Sequence, residues 1–144
     1  MRHAEIVLTG GYSAYPELHG FIEAFALEMC YSCSFTADIH LTLKEAFVNA
    51  VMHGNRERSD LPVRCSLSAS WHHLHASVRD CGVEFDPGAL PDPCSASFFM
   101  KLSGRGLHII RSIADLAVIG HEGEGKSLLL HYDCRRQLSS PVQS

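Results

Sequence analysis

Positive charge is scarce in this chain. Twelve Lys and Arg stand against sixteen Asp and Glu, a net charge of -4 over 144 residues. That balance lacks the basic surface with which proteins track a phosphate backbone, so direct nucleic-acid binding is not expected. Long apolar runs are absent too. None approaches the roughly 20 residues that a bilayer crossing takes, and the opening MRHAEIVLTGG has no signal-peptide core, so neither membrane nor export is expected. Repeats and low-complexity stretches are missing. Six cysteines without a secretory signal read as reduced, packed or inert thiols of a cytoplasmic protein, not as a disulfide framework. A single CxxC, Cys30-Tyr31-Ser32-Cys33, has no second pair to complete a zinc site, and it ends a helical pattern where a redox motif would follow a strand. With 46% apolar and 19% charged residues, what is left is one globular domain spanning 1–144 around a single core.

Periodicity divides that domain into elements. Residues 5–9 read as a short strand stopped by Gly10-Gly11. Ser13 is placed to cap a helix that tolerates Pro16 in its first turn and buries Leu18, Phe21, Ile22, Phe25 and Met29. A second helix is predicted from about Asp38 to His53, with Leu43, Phe47, Ala50 and Val51 inward and Gly54 as its stop. Alternation over Val63–Trp71 and again over Leu74–Val78 predicts a hairpin. It sets His73 and His75 on one polar face, where a solvated surface accounts for them better than a metal. Residues 87–103 are rich in Pro, Ser and Gly and form a long loop in which Phe98, Phe99 and Met100 suit a lid. A third helix over about Gly104–Asp115 and a closing hairpin around His121–Lys126 complete the chain. The order β-α-α-β-β-loop-α-β-β predicts a two-layer α/β (α+β) sandwich: a mixed, mostly antiparallel sheet covered on one face by about three helices.

Three groups of residues carry chemistry. Glu45, Asn49 and His53 lie at i, i+4 and i+8 of the second helix, on one face. A carboxylate and a carboxamide one turn apart offer a base and a neutral oxygen ligand for Mg²⁺, although alone they also describe an ordinary polar face. Asp80-Cys81-Gly82 follows a strand, where Asp80 can accept from an exocyclic amine and Gly82 lets backbone approach a flat ligand. Ser103-Gly104-Arg105-Gly106-Leu107 opens the third helix with free N–H groups, two glycines and an arginine, a phosphate-binding combination.

In this order, Glu45-x-x-x-Asn49-x-x-x-His53-Gly54-Asn55, Asp80-x-Gly82-x-x-Phe85-Asp86-Pro87 and Gly104-Arg105-Gly106-Leu107 resemble the N and two glycine boxes of the Bergerat-type ATP-binding fold. Histidine kinases, type II topoisomerases, Hsp90 and mismatch-repair ATPases share that fold. The short chain, EAFVNAVMHGN and GRGLHIIRSIAD look most like the bacterial anti-sigma factor serine/threonine-protein kinases. The resemblance implies ATP and Mg²⁺ as cofactors. It makes Asn49 the Mg²⁺ ligand and Glu45 the general base toward a protein serine. Asp80 and Gly82 would form the adenine side, and Gly104, Arg105, Gly106 and Leu107 the phosphate cradle. Family members bind a sigma factor and phosphorylate a serine of an anti-anti-sigma (STAS-type) protein, commonly as homodimers. The alternative is a nucleotide-dependent protein-binding module without kinase activity.

The third box departs from the family, whose glycine is usually followed by Thr or Ser. Here Gly125-Lys126-Ser127 stands in that place, leaving Ser127 as the adenine-side contact. The same segment, Gly120 to Ser127, satisfies the P-loop expression GxxxxGK[ST]. A working P-loop continues into a helix, whereas LLLHYDC reads as strand. The match is therefore accidental, and Lys126→Ala is expected to leave ATP affinity nearly unchanged.

Overall fold

Alternation between positions 63 and 79 yields the expected hairpin, β2 (Val63–Ala69) and β3 (His73–Arg79). Ser70 N–H donates to the His73 carbonyl across the turn at 2.9 Å. The structure, a computed structural model, describes residues 1–82 and 106–135. The expected 87–103 loop, with its lid residues Phe98, Phe99 and Met100, lies outside the described residues. β1 (Arg2–Leu8), β4 (Asp115–Gly120) and β5 (Lys126–Asp133) complete a five-stranded sheet in the order β1-β2-β3-β5-β4. Every pair of these strands is antiparallel, so the described sheet has no parallel member.

Register sorts the side chains onto two faces. Leu8, Val63, Cys65, Leu67, Leu74, Ala76, Val78, Leu128 and Leu130 fall on one face and are buried. On the other, His75, His131 and Asp115 stand directly opposite one another across β3, β5 and β4. Burial, then the neighbouring His131 and His73, hold His75 below its ordinary pKa.

Helices cover the apolar face. Gly10 and Gly11 (φ 105° and 64°) turn the chain after β1 into a 3₁₀ turn, Gly11–Ala14. Ser13 serves this turn, its Oγ donating to the Gly10 carbonyl at 2.7 Å, and does not cap the following helix as expected. That helix, α1, is Tyr15–Met29 with Pro16 in its first turn. Leu18, Ile22 and Phe25 are buried, while Phe21 and Met29 are partly covered. α2 is Cys33–Asn49 and packs against α1 and β3. It starts earlier than the expected Asp38 because Ser32 Oγ accepts the Phe35 N–H at 3.1 Å, a side-chain cap. Ser32→Ala should therefore lower stability by about 1 kcal/mol in urea unfolding. Thr42 donates to the Asp38 carbonyl at 2.8 Å and meets the Tyr132 hydroxyl at 2.5 Å, which fastens α2 to β5.

The second helix ends differently from its expected continuation to His53. After Asn49 the backbone widens into a π-turn, Ala50–Gly54, closed by Asn55 N–H to the Ala50 carbonyl at 2.8 Å. The third helix, α3 (Gly106–Ile113), packs on α2 and buries Leu107 and Ile110. The CxxC cysteines, Cys30 and Cys33, are exposed and free at the α1–α2 junction, and Cys65 and Cys134 are buried packing thiols. Among the described residues no helix is long and apolar enough to cross a membrane.

Candidate functional site

α2 and its π-turn carry the first group. Asn49 is the last α2 residue and is 3% exposed, and among the described residues neither its Oδ1 nor its Nδ2 finds a hydrogen-bond partner. Leaving such a group unpaired costs about 1–3 kcal/mol, so the carboxamide awaits something. Oδ1 is the uncharged hard oxygen that a Mg²⁺ shell accepts, and on that ground the residue fits the ion. Glu45 lies one turn earlier, half-buried. His53 leaves the expected i, i+4, i+8 line because the π-turn winds more widely than an α-helix. Burial, then the charge of Lys126, holds its imidazole below the ordinary value, against a smaller pull from Glu57.

The second group gathers around Asp80, which follows β3 and is 4% exposed. Its Oδ2 accepts from Lys126 Nζ at 2.8 Å, and its Oδ1 from the Lys126 N–H at 3.1 Å. Asp80 N–H in turn donates to the Lys126 carbonyl at 3.0 Å. Gly54 lies so close that a Cβ there would overlap the Asp80 carboxyl, which requires glycine at the end of the π-turn. Gly82 (φ +56°) backs directly onto Gly125 (φ +88°), and a side chain on either would strike the other segment's backbone. Asn55, 1% exposed, holds the turn: its Oδ1 accepts the Cys81 N–H at 2.7 Å, and its Nδ2 donates to the Pro62 carbonyl at 3.1 Å. From sequence, Gly54 is only the stop of the second helix and Asn55 only a member of the motif, neither with a role toward Asp80 or Cys81. Their signal was the His53-Gly54-Asn55 run beside a helix end, which reads equally as a plain stop.

Of the third group, Gly106 and Leu107 are the first residues of α3 and both are buried, while Gly104 and Arg105 lie outside the described residues. The helix they open packs on the α2 that carries Glu45 and Asn49. The sequence pattern of the histidine kinase-like ATPase domain matches residues 13–132, from the turn before α1 through most of β5. The chain belongs to the histidine kinase-like ATPase family. No curated protein matches it. An ATP-binding domain with kinase- or ATPase-type chemistry therefore frames the site, and the open antiparallel sheet with three helices is that family's architecture.

Within this ATPase domain the third box departs from expectation. Ser127 pairs with Arg79 in the ladder and so alternates onto the sheet face opposite Asp80, where its Oγ meets His121 Nε2 at 2.8 Å. It does not reach Asp80; the residue directly after Gly125 does, and that residue is Lys126. The P-loop expression also fails as expected, because Lys126 opens β5 and its ammonium is held by Asp80. The expected neutrality of Lys126→Ala toward ATP, by contrast, rested on a lysine outside the site, and the structure puts this lysine on the very carboxylate in question.

Proposed function

We propose that this ATPase domain is an anti-sigma regulator. It transfers the γ-phosphoryl of ATP to a serine of a STAS-type anti-anti-sigma protein, and it sequesters a sigma factor. The observation that carries the reading is the buried, unpartnered carboxamide of Asn49, one helical turn from the half-buried carboxylate of Glu45. Mg²⁺, when bound, neutralises phosphate charge, and Asn49 Oδ1 is the side-chain oxygen that would hold it. Glu45 takes the proton of the attacking serine hydroxyl as the serine oxygen bonds to the γ-phosphorus and ADP departs. Asp80 faces the adenine amine. The backbone opening α3 at Gly106 and Leu107 would hold the phosphates, with Gly104 and Arg105 preceding it in sequence.

Glu45→Gln tests this assignment. Removing the base should slow phosphoryl transfer to a purified STAS-type protein by about 10²- to 10⁴-fold. ATP affinity should stay within about twofold, since the amide replaces the carboxylate without changing its shape. Equal transfer by both proteins removes Glu45 as the base.

A second reading is a nucleotide-dependent binding module that holds a partner without phosphorylating it. Partner binding that responds to ATP, with no phosphoserine formed, would select this reading.

A further inference from the structure

On the sheet face away from the helices, His73 meets His131 and His131 meets Asp115, with the His75 ring alongside. His73 and His75 project from β3, His131 from β5 and Asp115 from the start of β4. His131 Nδ1 lies 3.0 Å from Asp115 Oδ2, close enough to donate to it. That bond fixes the tautomer: with its proton on Nδ1, His131 presents a bare lone pair at Nε2. His73 Nδ1 sits 2.8 Å from that Nε2. His75 stands directly opposite His131 in the ladder, the two ring centroids 4.8 Å apart. Neither the nucleotide chemistry nor the helical layer uses any of these groups.

We propose that His73, His75 and His131 form a site for a divalent transition ion of the Zn²⁺ class, with Asp115 as its outer carboxylate. The arrangement supplies what such an ion asks for. Imidazole nitrogens suit zinc, nickel and copper. A carboxylate on the far nitrogen of a liganding histidine orients the ring and raises its basicity. Two nitrogens each about 2.0–2.1 Å from a tetrahedral ion stand roughly 3.3 Å apart, so the His73–His131 contact needs to open by only about half an ångström. His75 would turn in as third ligand, and water completes the shell. An ion held here would tie edge strand β4, through Asp115 and His131, to β3.

A competing cluster lies between the helices, where ligand atoms of His19, Glu23 and His40 fall within 4.8 Å of one another. One feature counts against it: among the described residues His40 Nδ1 is buried without a partner. An ion on Nε2 would force a proton onto that nitrogen with no acceptor to receive it.

The test is titration of the tag-free, nucleotide-free chain with Co²⁺, followed by displacement with Zn²⁺. One equivalent should bind with the visible absorption of nitrogen-ligated cobalt and without a thiolate charge-transfer band. His131→Ala and His73→Ala should each weaken binding by at least tenfold, and Asp115→Asn by about 10-fold or more. The His19→Ala/His40→Ala double variant should bind within about twofold of wild type. Zn²⁺ should also raise the melting temperature of wild type and not of His73→Ala, a second readout if His131→Ala folds poorly. No binding by wild type overturns the proposal. So does binding that survives His73→Ala and His131→Ala, or is lost in the helical double variant. A thiolate band would move the ion to Cys30 and Cys33 and overturn it equally.

Discussion

Asn49→Leu is expected to abolish the Mg²⁺ dependence of ATP binding and at the same time to raise the melting temperature. Both effects have one source. Asn49 is buried with both side-chain polar atoms unpaired among the described residues, so the folded chain without ligand carries a desolvation penalty that leucine, close in volume, removes. An apolar isostere in place of an unsatisfied amide should add about 1 kcal/mol or more. At this chain length that is roughly 3–5 °C in thermal unfolding. Calorimetric titration of ATP with and without Mg²⁺ should then give the same affinity for the variant, where wild type binds more tightly with the ion. A lower melting temperature would mean that Asn49 has polar partners in the folded chain. A Mg²⁺ effect that survives would place the ion elsewhere.

The opposite signs are what separate a ligand-holding residue from a packing one. A core residue loses stability and function together when replaced, whereas a residue kept for its ligand is retained in spite of what it does to the empty fold. The π-turn that follows Asn49 belongs to the same pattern, since such local widenings of a helix recur at functional positions.

Sequence reading found the elements but not their joints. Period-2 alternation placed the β2–β3 hairpin because one face of the sheet is apolar and the other is not. Helix starts were harder. Ser13 and Ser32 both have the chemistry of a cap, and only the glycine turn at 10–11 decides that Ser13 folds back while Ser32 caps. Glu45, Asn49 and Asp80 could be singled out from sequence because their spacing to neighbouring glycines follows a family pattern, and of these Asn49 and Asp80 are buried polar groups in the fold. The face that Ser127 takes hangs on one fact that the motif does not carry, the register of β5, which flips adjacent residues to opposite faces. Asn55 escaped because its work is done on backbone groups of Cys81, Leu61 and Pro62, which no side-chain motif reports. Likewise His131 and Asp115 lie far from His73 in sequence and meet it only through the strand order β3-β5-β4.

Lys126→Met should lower stability by about 3 kcal/mol or more, yet enlarge the stabilisation that ATP confers. The pair it breaks is enclosed: the side chains of Asp80 and Lys126 are 3% and 14% exposed. Removing one partner of such a pair leaves a buried charge uncompensated, which typically costs about 3–5 kcal/mol. Methionine fills the space of the lysine stem, so lost packing contributes little. The freed Asp80 Oδ2 then has no donor until an adenine amine supplies one, and the melting-temperature rise at saturating Mg²⁺-ATP should exceed that of wild type. Adding Asp80→Asn to Lys126→Met removes the stranded charge. The double variant should recover much of the lost stability while losing the enlarged ATP response, a coupling that the single substitutions do not sum to. If Lys126→Met unfolds at the wild-type urea midpoint, the pair is not holding the sheet end together. If instead it is destabilised but ATP shifts it no more than wild type, Asp80 is a structural carboxylate and the adenine is recognised elsewhere.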